Sequence, residues 1–363
     1  MDDMLLPPDP DTRLNGRGAT QNTANRFEKT RTERCHDGWE DAAEQRPLRT
    51  QLSIDRSRSI IARNTSPDVP FDRSVNPYRG CEHGCTYCFA RPSHAQLGYS
   101  PGLDFETRLV VKPNAAELLE RALRKPGYEV KPIAIGTNTD PYQPIERDHR
   151  IMRQVLEVLW AFRHPVQITT KGALITRDLD ILGRMSRSGL VSVTISLTTL
   201  DNRLSRQLEP RAAAPGRRIA TIRALADHCV PVGVNLAPVI PGLTDHEIER
   251  LLGAANSAGA SHAGCILLRL PLEVAPLFKA WLEKYHPDRA KRIMRKVRET
   301  HGGADYNPNW GRRLRGEGPH AQMIARRFDL CAQRLGFDLG RPRLRCDLFE
   351  RPPRSGDQMQ LGL

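Results

Sequence analysis

The residues most able to do chemistry in this chain are three cysteines. Cys81, Cys85 and Cys88 stand in the run Cys81-Glu82-His83-Gly84-Cys85-Thr86-Tyr87-Cys88, a C-x3-C-x2-C spacing. Thiolates so close together on one short loop can grip three corners of an iron–sulfur cubane and leave its fourth iron open. A structural zinc ion needs a closed set of four ligands, and the fourth would have to be His83, His94 or a distant cysteine. Ferredoxin runs that hold two clusters use another spacing and a fourth cysteine. Gly80 and Gly84 let the loop turn tightly and bring backbone N–H groups near the sulfurs. The remaining cysteines, Cys35, Cys229, Cys265, Cys331 and Cys346, are scattered singly and read as small buried hydrophobes.

Such a loop needs a scaffold, and the pattern changes to one at Ser74. Strands are expected at 74–78, 132–136, 166–170, 191–197, 232–239 and 265–270, where β-branched and apolar residues concentrate. Helices are expected between them at 115–124, 151–162, 179–186, 219–228 and 247–258, several opening on a cap residue such as Asn114, Asp178 or Asp245. Strand–helix alternation gives parallel strands with right-handed crossovers, here six βα units. A TIM-like barrel and a doubly wound open sheet share these local signals. Three regions are expected: a largely disordered N-terminal tail over 1–70 with a short packed element near 52–61, a barrel over 71–275, and a basic helical extension over 276–363.

The 363 residues carry 55 Lys plus Arg against 42 Asp plus Glu, a net charge of +13, with 39% hydrophobic residues. That balance favours a polyanionic partner over a small acidic metabolite. No apolar run reaches the roughly 18–20 residues of a bilayer span. The start, Met1-Asp2-Asp3-Met4 leading to Pro7 and Pro8, shows no secretory signal. A soluble cytoplasmic protein with no membrane partner is expected.

With Tyr87 before the third cysteine and the motif just after a first barrel strand, the sequence resembles the radical S-adenosylmethionine (SAM) superfamily. Asn76-Pro77-Tyr78-Arg79-Gly80-Cys81, Cys88-Phe89-Ala90 and Thr137-Asn138-Thr139-Asp140-Pro141-Tyr142 resemble the branch that includes spore photoproduct lyase and the DNA repair photolyase-like proteins. The resemblance spans roughly residues 70–275. It implies α/β architecture, a partial (βα)6 TIM-like barrel, with a [4Fe-4S] cluster on Cys81, Cys85 and Cys88 and SAM on the open iron. The expected activity is reductive cleavage of SAM to a 5′-deoxyadenosyl radical that abstracts hydrogen. An electron donor such as a flavodoxin or ferredoxin is implied.

Barrel sites form at the C-terminal ends of strands. Thr137, Asn138 and Thr139 after the second strand are candidates for the SAM amine and ribose, and Lys171 after the third for its carboxylate. Ser196 and Lys171 match cofactor-contacting residues of the branch, and Glu209 with Arg211 is placed to face the cofactor. Asn235 and the turn 238–242 resemble the segment that packs on adenine. Cys265, Leu267 and Arg269 alternate onto one strand face. Cys265 is a candidate hydrogen donor, and Arg269 needs an anion if it faces the interior. Thr137 stands where the branch has a cysteine hydrogen donor, and threonine's O–H bond is too strong for that part. Thymine-dimer reversal by that route is therefore not carried over.

Residues 279–354 hold 19 Lys plus Arg against 9 Asp plus Glu, most of the net charge. Lys291, Arg292, Arg295, Lys296, Arg298, Arg312, Arg313 and Arg315 lie there beside Tyr306 and Trp310. Charge and aromatics together can track a phosphate backbone and stack a base. The expected function is a radical SAM enzyme acting on nucleic acid. The alternatives are a non-catalytic, metal- or cluster-stabilised nucleic-acid-binding protein, and a radical SAM enzyme acting on a protein or small molecule.

Overall fold

A computed structural model of the chain describes residues 16–27, 48–340 and 343–353. Among these residues the strands are β1 (Gln51–Ile54), β2 (Ile61–Arg63), β3 (Arg73–Val75), β4 (Tyr78–Arg79), β5 (Arg108–Val111), β6 (Ile133–Ile135), β7 (Val166–Thr170), β8 (Val191–Ser196), β9 (Val232–Val239) and β10 (His262–Leu267). The larger sheet runs β10-β9-β8-β7-β6-β3-β2. Its strands are parallel from β3 to β10, and only β2 pairs antiparallel. Helices Ala115–Leu123, Ile151–Ala161, Leu179–Arg187, Pro215–Asp227 and Ile248–Ser257 alternate with the strands. This is the partial barrel, open between β10 and the β3 side.

Strand alternation sorts structure from site. In β8, Val191, Val193 and Ile195 join the core beneath the helices, with Val232, Val234 and Leu236 of β9. Ser192, Thr194 and Ser196 therefore point to the other face, as does Asn235, which pairs with Ser196.

Two strands depart from the expected bounds. The first ends at Val75 because Pro77 lacks an N–H for the ladder, and Tyr78–Arg79 pairs instead with β5 in a second sheet, β1-β5-β4. The sixth begins at His262 and ends at Leu267, with an irregularity between Cys265 and Leu267 that shifts its register.

The tail expected over 1–70 falls partly on residues 1–15 and 28–47, outside the described residues. Residues 16–27 and β1 lie against the main domain, held by polar contacts detailed below. In the extension expected over 276–363, residues 341–342 and 354–363 are likewise outside them. Helices Val274–Tyr285 and Pro287–Glu299 bury Phe278, Trp281, Leu282, Ile293 and Val297 in a second core shared with Cys85 and Tyr87. The apolar faces of these basic helices thus close the end of the barrel that carries the cysteines. No helix of the described residues is long and apolar enough to cross a membrane.

Candidate active site

The cysteine loop follows β4. Gly80 and Gly84 adopt φ of 77° and 66°, the left-handed region that glycine enters without steric cost. Cys81 N–H donates to the Phe105 carbonyl at 2.9 Å, and Gln143 accepts from Glu82 N–H at 2.8 Å. Cys81 and Cys85 are buried and Cys88 is partly exposed.

Behind the loop stands a polar pillar. The Arg91 guanidinium, fully buried, donates twice to the Cys85 carbonyl, at 3.0 and 2.9 Å, and pairs with Glu106 at 2.5 Å. Glu106 also accepts from Gly18 N–H at 2.9 Å and Ala19 N–H at 2.8 Å, while Arg17 donates to its carbonyl at 2.9 Å. A methyl group on Gly18 would lie 1.6 Å from the Gly84 carbonyl oxygen, so these glycines pass back to back. Arg17 also donates to Thr50, which donates to Glu82. The segments 16–27 and 48–54 therefore brace the loop, a role that few apolar residues and no periodicity could announce.

In front of the loop lie the strand ends. Asn76 bridges Thr137 and Asn138, donating to Thr137 Oγ1 at 3.1 Å and accepting from Asn138 N–H at 3.1 Å. Thr139 donates to the Tyr78 carbonyl at 3.3 Å. Asp140 ties three elements together: it accepts from Thr170 Oγ1 at 2.6 Å and Lys171 N–H at 2.7 Å, and lies 3.4 Å from His83 Nδ1. Burial opposes its charge, but His83 and these hydrogen bonds hold its pKa at about 2. Asp140 is thus committed to holding loop and strand ends together.

Lys171 Nζ lies 3.5 Å from Glu209 and donates to the Ala237 carbonyl at 3.3 Å. Glu209, buried, also accepts from Thr198 at 3.0 Å and is paired with Arg218 and the Tyr87 hydroxyl. Through Tyr87 this network reaches the residue next to Cys88. Ser196 is buried on the same sheet face as Asn235, whose Oδ1 is buried without a hydrogen-bond partner. Arg211 turns instead to Glu82, at 3.2 Å.

The structure so brings Cys81, Cys85, Cys88, Thr137, Asn138, Thr139, Lys171, Ser196 and Glu209 to one end of the barrel. Cys265 is not brought there. It pairs with Leu236 and packs against the main core, on the helix side of the sheet opposite Ser196. Burial, with Asp329 nearby, pushes its thiol up to about 12. This is the place of an inert core cysteine, because the β10 register turns it away from the cysteine loop. Asn76, Arg91, Glu106 and Arg218 were missed as supporting residues. For Arg91 the sequence signal is its place three residues past the last loop cysteine.

Burial pushes all three loop thiols above their ordinary range. Asp140 adds to this at Cys81 and Glu209 at Cys85, while Lys171 opposes it at Cys85 and Arg91 at Cys88. Thiols held neutral this way give up their protons when a metal takes the sulfur. The donor set, three thiols on one glycine-turned loop with cations nearby, fits an iron–sulfur cluster. It fits zinc poorly. His83 is engaged with Asp140 and His94 Nε2 with the Arg108 carbonyl. Among the described residues no three His, Cys, Asp or Glu converge on one ion, as zinc requires.

The Radical SAM superfamily profile matches residues 75–255. Uncharacterized proteins of Mycobacterium tuberculosis and Mycobacterium bovis are 38% identical over 242 residues, covering 66% of this chain and 70% of theirs. An uncharacterized protein of Methanocaldococcus jannaschii is 26% identical over 223 residues, 61% of this chain and 80% of its own. Among solved structures, spore photoproduct lyase complexed with dinucleoside spore photoproduct superposes with a TM-score of 0.56 at 16% identity, covering 79% of this chain and 80% of that one. At that identity the likeness concerns the fold.

Proposed function

This chain belongs to the radical SAM superfamily and is an enzyme of that class, and from that premise we propose that Cys81, Cys85 and Cys88 hold a [4Fe-4S] cluster with one iron left open to SAM. Superfamily membership brings SAM and an iron–sulfur cluster with it, and it sets aside a purely non-catalytic module. Bound together and reduced by one electron, these groups supply a 5′-deoxyadenosyl radical for hydrogen abstraction.

The chain's own residues bind and orient. Lys171 offers its ammonium to the SAM carboxylate, with Glu209 and Arg218 fixing where that ammonium stands. Asn235 and Ser196 face the adenosyl side, where the Oδ1 of Asn235 still lacks a partner. Thr137, Asn138 and Thr139 contribute short polar groups at the end of β6, preset by Asn76. The Phe278, Trp281 and Tyr87 side chains exclude water from the Cys85 side of the loop. A flavodoxin or ferredoxin is the reductant in this scheme.

The substrate is assigned to nucleic acid. The charge excess of residues 279–354 supports this, as does the fold shared with spore photoproduct lyase. The observation that carries the function is the three-thiol loop, with Cys81 and Cys85 buried, and Lys171 and an orphaned acceptor in front of it. Anaerobically reconstituted protein reduced with dithionite should convert SAM to 5′-deoxyadenosine and methionine, faster with single-stranded or damaged DNA. Absence of 5′-deoxyadenosine would overturn the function. Stimulation by peptide or metabolite instead of DNA would overturn the substrate class.

A further inference from the structure

Arg269 is the one cation near the cysteines for which the described residues offer neither a hydrogen-bond acceptor nor a carboxylate partner. It lies two residues past the end of β10 and is only partly exposed. Its guanidinium stacks 4.0 Å from the centre of the Phe89 ring, directly after Cys88 in the chain. Phe89 is 45% exposed, so part of its ring stays open to a ligand.

The surroundings hold the guanidinium free. Asp68 is close enough to act on Arg269, but its carboxylate is taken by Arg313 Nε at 2.5 Å and Gly311 N–H at 2.7 Å. The loop from His301 to Glu317 that supplies these groups is pinned to the strand end, with Leu267 N–H donating to the Leu314 carbonyl at 2.9 Å. The same loop brings the Tyr306 ring against the core that holds Cys88 and leaves Trp310 60% exposed. A partly buried cation without a counter-charge is costly unless a ligand supplies one. A planar guanidinium fork matches phosphate oxygens, and exposed rings match nucleobases.

We propose that Arg269, with Phe89 and Tyr306 beside it, is the substrate's phosphate-recognition point, taking a phosphodiester of single-stranded nucleic acid with a base against the Phe89 ring. This rests on, and sharpens, the assignment of a nucleic-acid substrate to this barrel mouth. It accounts for a free arginine in a region where Arg298, Arg312 and Arg313 all have carboxylate partners.

The probe is a fluorescein-labelled single-stranded oligothymidylate, bound to the as-isolated protein without SAM or reductant and titrated across salt. Replacing Arg269 by Gln should weaken binding about tenfold and lower the slope of log affinity against log salt by about one. Arg269→Lys, which keeps the charge and loses the fork, should fall between. Arg223→Gln, on the far helix Pro215–Asp227, should match the parent. Equal affinity and slope for parent and Arg269→Gln would overturn the proposal. So would intact binding with an altered electron paramagnetic resonance (EPR) signal of the reduced cluster, since Arg269 would then serve the cluster. Iron content is measured on the same samples, so loss of the cluster assignment is seen separately from loss of the phosphate site.

Discussion

The two sides of the cysteine loop are built from different chemistry. Behind it, the protein itself satisfies the charged groups: Arg91 meets Glu106, Arg211 meets Glu82, and Arg17 meets the Glu106 and Leu48 carbonyls and the Thr50 hydroxyl. Backbone N–H groups of Gly18 and Ala19 complete the Glu106 carboxylate. In front of it, Lys171 and Arg218 share the single carboxylate of Glu209, Arg269 has none, and Asn235 keeps an unused acceptor. The back's charges are thus met within the protein. The front leaves groups short of protein partners beside three thiols: Lys171 has only a shared carboxylate and can take a SAM carboxylate, Asn235 has an open acceptor, and Arg269 offers a place for a substrate phosphate.

The largest effect that tests this contrast is on the thiols themselves. Cys85→Ala should reduce reconstituted iron to a small fraction of the parent's and abolish SAM cleavage, read by iron assay and chromatography. A variant that kept its iron would remove Cys85 from the ligand set. Next comes the back. Gly18→Val drives a side chain into the Gly84 carbonyl, and such overpacking costs about 1–3 kcal/mol. Its melting temperature should drop and its loop thiols should alkylate faster in the metal-free protein. Gly253→Ala, where an added methyl meets nothing, should do neither.

On the front, the effect should fall on ligand and spare the fold. Lys171→Met should raise KM for SAM by about ten- to a hundredfold, the span of a lost charged hydrogen bond, with iron content unchanged. Unfolding, or lost iron, would place Lys171 with the back instead. The last effect, spread across pH, concerns His94, packed behind the loop between Tyr99 and Phe105. Burial holds its pKa at about 4, below the ordinary 6.5. A histidine kept neutral in the fold stabilises above pH 6.5 and loses that contribution as pH falls towards 4, on the order of 3 kcal/mol. Thermal melts of His94→Gln should therefore show a shallower loss between those pH values than the parent.

What was legible in the chain divides along the same line. Five helices and the strands at 166–170 and 232–239 follow from local periodicity, and the three cysteines from spacing alone. Lys171 could be placed because a cation after an apolar strand must emerge at a barrel mouth. The brace of Arg17, Gly18 and Ala19 on Glu106 could not, since it joins residues more than eighty apart through polar contacts that leave no periodic trace. Arg269 was visible as an arginine among leucines. Its lack of a partner was not, because only the packed loop shows Asp68 already taken by Arg313. Alternation groups Cys265 with Leu267, and both join the core beneath the helices; which face that is shows only in the pairing of Cys265 with Leu236.

The most direct test is the EPR spectrum of the reduced, reconstituted protein before and after SAM is added. A [4Fe-4S] cluster held by three thiols of this chain has an iron open to SAM, so the signal should change shape on addition and the change should need Lys171. A cluster signal that SAM leaves unaltered would mean the fourth iron is already bound, and would contradict an open site in front of this loop.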